Sequence, residues 1–336
     1  MQRESRLARV LWITLVVLLG GYVVADFVRS PFVASRGSAA VRAAALTLWT
    51  PAAEAGGETG AAVRDAAAGL ELDGLTVATK TISGGSSEAI AEFLARPPHG
   101  DGIPVLVLSS ATFADIAHDR HDRLVPGAAE DAALARALLR QAKPIDQLES
   151  EPLSLGVDPR SSVGDPGAFL SALRSAPSAQ LFGISDDTWS RDELAALVNR
   201  AGVDGQVPFS VFQSGAAAAQ AVETGDAAAV LAPRGALTEE FRSGRLRQLG
   251  WPFGAGSRAP RFWVAALAPA NLSPSAVEAL RGWFGRLAGE RTWKAQLRAA
   301  GRAPATVGAA RLAGLLRGYA TRADRLEQLA RLVERR

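Results

Sequence analysis

Residues 41–110 read VRAAALTLWTPAAEAGGETGAAVRDAAAGLELDGLTVATKTISGGSSEAIAEFLARPPHGDGIPVLVLSS, and this stretch decides the fold. Ala43–Trp49 (AAALTLW) is a short apolar run that predicts a first strand. A loop follows over Thr50–Gly60, then a helix over Ala61–Leu70. Leu75–Lys80 (LTVATK) has the alternation and β-branched content of a second strand. The glycine turn Ser83–Ser87 leads into a helix over Glu88–Ala95. Ile103–Leu108 (IPVLVL) is apolar without a break, as a strand buried on both faces requires. The order β-α-β-α-β predicts a parallel sheet with helices on both faces.

Working outward, a second block of the same kind runs from Leu153 to about Leu249. Strands are predicted at Leu153–Val157, Gln180–Ile184, Pro208–Phe212, Ala227–Leu231 and Leu246–Gly250. Helices are predicted at Pro166–Ser175, Ser190–Ala201 and Ala216–Glu223. Ser190 and Glu193 have the spacing of a capping box. The chain then returns through a strand at Arg261–Ala268. Next comes a helix opened by Ser273 and Pro274, then a helix over Trp293–Ala300. A long final helix is predicted from near Ala309 towards Val333, with leucines on one face.

The chain has 336 residues, enough for about two domains and a core that needs no staples. It contains no cysteine. That excludes disulfides, thiolate metal sites, a cysteine nucleophile and a lipidated cysteine. The histidines are His99, His118 and His121. They offer little for a histidine metal site or a catalytic triad, and no cofactor or metal is expected. His118–Asp122 (HDRHD) carries ligand residue types, but in a spacing that matches no zinc geometry, and reads as a polar surface segment. Net charge is +3, so no nucleic-acid footprint is expected. Neither a P-loop nor a Gly-x-Ser-x-Gly elbow occurs.

Arg3, Arg6 and Arg9 precede an uncharged run from Val10 to Ala25, which Asp26 ends. A basic segment followed by an apolar run is a secretory signal or a membrane anchor. The run spans ~24 Å at ~1.5 Å per residue, short of a ~30 Å hydrocarbon core. Val23–Ala25 offers small residues for cleavage before Asp26. Cleavage and retention both stay open, and both export the rest of the chain because the arginines remain inside. Arg29–Ala40 reads as a linker.

Taken in order, several short motifs resemble the exported receptors of tripartite tricarboxylate transporters, the Bug-type solute receptors. The first strand of that family runs into a proline-containing loop ending Gly-Gly-x-Thr-Asp, and here Pro51–Gly60 ends Gly56-Gly57-Glu58-Thr59-Gly60. Its glycine turn after the second strand resembles Thr79–Gly85, and its Pro-Asp-Gly strand resembles Gly100–Leu106. Its Tyr-Lys-Gly-Gly turn is similar to Phe212–Gly215, its Lys-Ala-Gly-Lys-Leu-Arg to Arg242–Arg247, and its Phe-Gly-Leu-Leu-Ala-Pro-Ala to Trp263–Ala270. The likeness covers about Ala43–Leu326.

The resemblance implies an α/β, two-lobed, type II periplasmic-binding fold with a ligand cleft between the lobes. Residues 41–150 and 256–336 would form lobe one, and 151–255 lobe two. Residues 1–40 would be the leader or anchor plus linker. It also implies that helix N-termini at strand ends hold a ligand carboxylate through backbone N–H groups. Carried over residue by residue, the contacts are Ala53, Glu54, Gly56, Gly57 and Thr59 in the first loop. Gly84, Gly85 and Ser86 form a second turn, and Ser109 and Ser110 follow the third strand. Asp186, Asp187, Thr188 and Trp189 form the lobe-two loop. Gln213, Ser214 and Gly215 cap the next strand, and Pro233 and Arg234 follow the last.

This chain departs from the family pattern at Gly60, where the family has aspartate, at Asp186-Asp187, where it has a glycine-rich loop, and at Ala228 and Ala232. Two acids near a bound anion repel it by ~4 kcal/mol each at ~4 Å and an effective dielectric of ~20, before screening. Asp186 therefore either caps the following helix or contacts an amphoteric or cationic ligand. Trp49, Trp189, Trp251 and Trp263 read as cleft lining or as core.

The expected function is binding, not catalysis. The chain would capture a small organic solute, a carboxylate by resemblance, outside the cytoplasm and present it to membrane permease subunits. A membrane-tethered ligand sensor or degenerate receptor on the same fold is the alternative. An exported carboxylate-only enzyme is a third reading, with no histidine base to support it.

Overall fold

The computed structural model describes residues 45–95, 102–118, 134, 137, 138, 140–185, 188–253, 259–305 and 308–318. The leader at 1–40, the His118–Asp122 segment beyond His118, Asp186, Asp187 and the end of the last predicted helix lie outside them.

Strand β1 (Leu46–Pro51) lies between β2 (Val77–Ile82) and β3 (Ile103–Ser109), and all three are parallel. Alternation decides the faces. Leu46, Leu48, Val105 and Val107 enter one core cluster with Ala62, Ala66 and Leu70. Trp49, Leu106 and Leu108 enter another with Ile90 and Phe93. The first set packs on α2 (Glu58–Leu72) and the second on α3 (Ser86–Ala95). Each fully buried leucine or phenylalanine here adds ~1.5–3 kcal/mol.

The strand expected at 153–157 is the end of a much longer one. Strand β4 (Ala142–Val157) is 16 residues long and threads both lobes. Its first part pairs antiparallel with the returning strand β9 (Arg261–Pro269). Its last five residues pair antiparallel with β7 (Ala229–Pro233), and three of them also with β8 (Arg247–Leu249). In the second lobe β7 lies parallel to β5 (Phe182–Ser185), which lies parallel to β6 (Phe209–Phe212). The strand order is β2-β1-β3-β9-β4-β7-β5-β6. The sheet is thus mixed, because β4 and β9 run against their neighbours. Strand β4 belongs to both lobes, while among the described residues β9 pairs only with β3 and with the first part of β4; just ahead of β9 the Leu153 amide donates to the Pro260 carbonyl at 2.8 Å.

Helix α5 (Pro166–Ser175) has the predicted bounds, and the Asp165 side chain caps it by accepting from the amides of Gly167 and Ala168. Ser273 caps α9 (Pro274–Gly289) as expected, by accepting from the Ala276 amide. Helix α6 (Thr188–Ala201) starts two residues before Ser190, so Ser190 is not its cap. The Ser190 hydroxyl instead lies 2.9 Å from that of Ser185. The first loop, expected to be irregular, contains a short helical turn, α1 (Ala52–Ala55). Helix α7 (Gly215–Thr224), the six-residue α8 (Thr238–Ser243) and α10 (Arg291–Ala299) complete the frame. They are joined by α4 (Ser110–His118) after β3, β10 (Ala303–Pro304) beside β4, and α11 over 308–318. Among the described residues no helix is long and apolar enough to cross a membrane.

Candidate functional site

The ends of β1 and β3 bring loop one and α4 together. Glu54, on α1, is 9% exposed and points its carboxylate at the first turns of two helices. Oε2 accepts the Thr59 hydroxyl at 2.5 Å and the Ser109 hydroxyl at 2.7 Å. Oε1 accepts the Thr112 hydroxyl. Thr59 sits in the first turn of α2, and Ser109 precedes α4.

Ser109 and Thr112 also cap α4 reciprocally. Ser109 Oγ accepts from the amides of Ala111 at 3.1 Å and Thr112 at 3.3 Å, while Thr112 Oγ1 accepts from the Ser109 amide at 3.1 Å. This is the logic of a capping box, and it leaves both hydroxyl hydrogens to point at Glu54. The positive ends of α2 and α4 favour a negative charge at this spot. The carboxylate that these hydroxyls hold is the chain's own, Glu54. Thr112 completes the cluster; its hydroxyl type was visible in the sequence, its partner was not.

Gly60 explains the departure at that position. A β-carbon there would lie 1.9 Å from the Ala55 carbonyl oxygen, so the tight turn of α1 against α2 admits glycine alone. Gly57 forms the entrance to α2, its amide donating to the Glu54 carbonyl at 3.1 Å, and Gly56 is exposed. Ala53 lies on α1; its side chain is outside the described residues.

Gly84 and Gly85 serve α3 instead. Gly84 takes φ +96°, and the Gly85 amide donates to Glu88 Oε2 at 2.9 Å. Ser86 is buried in the first turn of that helix. Ser110 is fully buried, and its hydroxyl oxygen accepts from the Trp263 amide at 3.4 Å.

In lobe two, Ser214 caps α7 by accepting from the Ala217 amide at 3.2 Å, and Gln213 beside it is exposed. Gly215 is packed so closely that a β-carbon would meet Ala236 Cβ at 2.8 Å. Pro233 is buried at the end of β7, and Arg234 is exposed on the short turn that follows. Thr188 opens α6. Trp189 is buried and meets Phe262 edge-on with ring centres 5.5 Å apart. Helices α4 and α6 pack against each other, joining the two lobes on this side. Trp49 and Trp263 are core residues, the latter 5.5 Å from the Phe113 ring.

Along β4 lies a charged brace absent from the sequence reading. Arg302 Nη1 donates to Glu149 Oε2 at 2.8 Å, and Nη2 to Asp65 Oδ2 at 3.2 Å. Glu151 accepts the Gly235 amide. The Thr238 hydroxyl donates to the Ala300 carbonyl at 3.2 Å, and Arg242 Nη2 to the Ala299 carbonyl at 2.9 Å. The end of α10 thereby ties α2, β4 and α8 together. Among the described residues no group of three or more His, Asp or Glu is placed to hold a metal ion.

No sequence-family model matches the chain, and no curated protein matches it in sequence. Solved structures do match its fold. Rpa4515 of Rhodopseudomonas palustris, in a structure with adipate, is 18% identical with a TM-score of 0.64, covering 85% of this chain and 96% of its own. MatC of the same organism, with bound malate, is 17% identical with a TM-score of 0.62, covering 84% and 98%. The periplasmic binding protein BugD is 13% identical with a TM-score of 0.62, covering 85% and 97%. At these identities the likeness establishes the fold, and the chain has the two-lobed α/β architecture of periplasmic binding proteins.

Proposed function

We propose that the chain is an exported solute receptor of the tripartite tricarboxylate transporter type, which captures a small organic acid between its lobes and presents it to membrane permease subunits. The observation that carries this reading is the two-lobed fold itself. Structural neighbours of this architecture were solved with adipate and with bound malate. The ordered family motifs in the sequence support it, and so does the basic, then apolar, N-terminus.

We take 41–150 and 256–336 as one lobe and 151–255 as the other. Lobe closure about β4 would bury the ligand and give the permease a distinct form to recognise. No chemical step is proposed, since binding and release suffice for the role.

Glu54 favours a second reading on the same fold. Its carboxylate uses the hydroxyls at the ends of two helices, as a degenerate receptor or a membrane-tethered sensor with an altered ligand would.

A thermal-shift screen of the full chain tests the choice. The panel would hold di- and tricarboxylates, aromatic acids, amino acids and polyamines. A ligand at 100 times its Kd stabilises the fold by ~2.7 kcal/mol. Stabilisation by acids supports the receptor; stabilisation by polyamines alone, or by nothing in the panel, moves the reading to the sensor or degenerate form.

A further inference from the structure

A receptor that closes on its ligand keeps its lobes apart without one, so few contacts cross the gap. Here buried apolar contacts cross it. Trp189 lies in the first turn of α6 in lobe two and is 3% exposed; Phe262 on β9 in lobe one is 5% exposed. Their rings meet edge-on, with centres 5.5 Å apart and planes at 72°. Ala111 and Ala114 of α4 and Leu194 of α6 share their core cluster, which also holds Leu48 on β1 and Ile184 on β5. One apolar core thus runs through both lobes.

The sequence of α4 suits this seam. The small Ala111 and Ala114 belong to the shared cluster, while Phe113 packs in the other one against Trp263. That leaves room for α6 to lie against α4.

A second tie sits at α8 and the end of α10. Thr238 and Arg242 of lobe two donate to the Ala300 and Ala299 carbonyls of lobe one, at 3.2 and 2.9 Å. Parting the lobes at the first seam would bring two aromatic rings into water. Parting them at the second would break both hydrogen bonds. All of these contacts are the chain's own, so closure does not wait for a solute.

We propose that the chain rests closed without solute and that Trp189, docked against Phe262, is the latch. The inference rests on the receptor reading and its two lobes, and adds their regulation. The form that a membrane partner recognises is then present before any solute binds. Solute enters through a minor open form, which slows association.

Pulsed electron spin resonance on the full chain reads the distance between lobes without a known solute. The chain has no cysteine, so Leu72→Cys in lobe one and Ser171→Cys in lobe two take one nitroxide each. Both positions are exposed. The parent should show one short distance, with the longer, open one at no more than ~10%, and the same distance with adipate or malate added. Trp189→Ala should raise the ratio of open to closed at least about tenfold. Trp189→Phe, which keeps an aromatic ring against Phe262, should restore most of the closed form. Ser171→Cys with Gln220→Cys, both exposed and both in lobe two, should hold its distance in Trp189→Ala. A spread of that distance as well would mean that Trp189 supports its own lobe, and would overturn the latch. So would a Trp189→Ala distribution equal to the parent's. An open form that dominates in the parent and closes on adipate or malate would overturn the latch and leave the receptor reading standing. A closed parent that opens in Trp189→Ala and binds neither acid would uphold the latch and count against the receptor reading.

Discussion

Ser109 donates its hydroxyl hydrogen to the Glu54 carboxylate at 2.7 Å, joining residues 55 positions apart in the chain. The contact places a protein carboxylate at the N-terminal ends of α2 and α4, where the helix dipoles favour a negative charge.

Glu54→Ala should leave the Thr59, Ser109 and Thr112 hydroxyls without their shared acceptor. Hydrogen bonds to a charged group contribute ~1.5–3 kcal/mol, so a loss of about 3 kcal/mol is expected in denaturant unfolding. Formate or acetate should restore part of it by taking the vacated place. Unchanged stability, or a loss no small carboxylate reverses, would count against a carboxylate-specific cluster.

Arg302 is 7% exposed and Glu149 1% exposed. Removing one partner of such a pair strands the other, at about 3–5 kcal/mol. Arg302→Met should therefore lower stability strongly, and adding Glu149→Gln should recover part of the loss. If the double variant is no more stable than Arg302→Met, the pair is not the source.

Gly301 takes φ +72°, and a β-carbon there would lie 1.9 Å from the Thr238 hydroxyl oxygen. Gly301→Ala should be destabilised by the left-handed backbone and by this collision between α10 and α8. Thr238→Ala in the same chain should remove the collision and leave the backbone cost of ~1–2 kcal/mol. Equal stability of the single and double variants would show that the contact has slack.

Burial raises the pKa of Asp146, and the amides of Gln147 and Gly308 only partly offset it. The folded chain thus holds this proton to higher pH than the unfolded chain does. Its contribution to stability falls as pH rises from about 4 through the raised value. Asp146→Asn cannot ionise and keeps an acceptor for the amides. It should melt higher than the parent at pH 7, with the gain gone below about pH 4. A gain that is constant with pH would mean that ionisation is not its cause.

Local signals made several elements legible. Ile103–Leu108 is apolar at every position, which only a doubly covered strand tolerates, and it lies within β3. Asp165-Pro166 and Ser273-Pro274 mark helix starts that are real caps. What stayed hidden depended on distant partners. Strand β4 carries Asp146, Glu149 and Glu151, which no period assigns to an interior. Glu149 and Glu151 are buried there because Arg302 and the Gly235 amide meet them. Glu54 lies in the first loop, but its hydrogen bonds required Ser109 and Thr112 to arrive from β3 and α4. Ser190 had a cap's spacing and lost the position because α6 begins two residues earlier.

The most direct measurement is a calorimetric titration of the full chain with adipate, malate and 4-hydroxybenzoate in parallel. A solute receptor predicts saturable heat at one ligand per chain for at least one acid. Heat from none of the three, with the chain folded, would contradict the account.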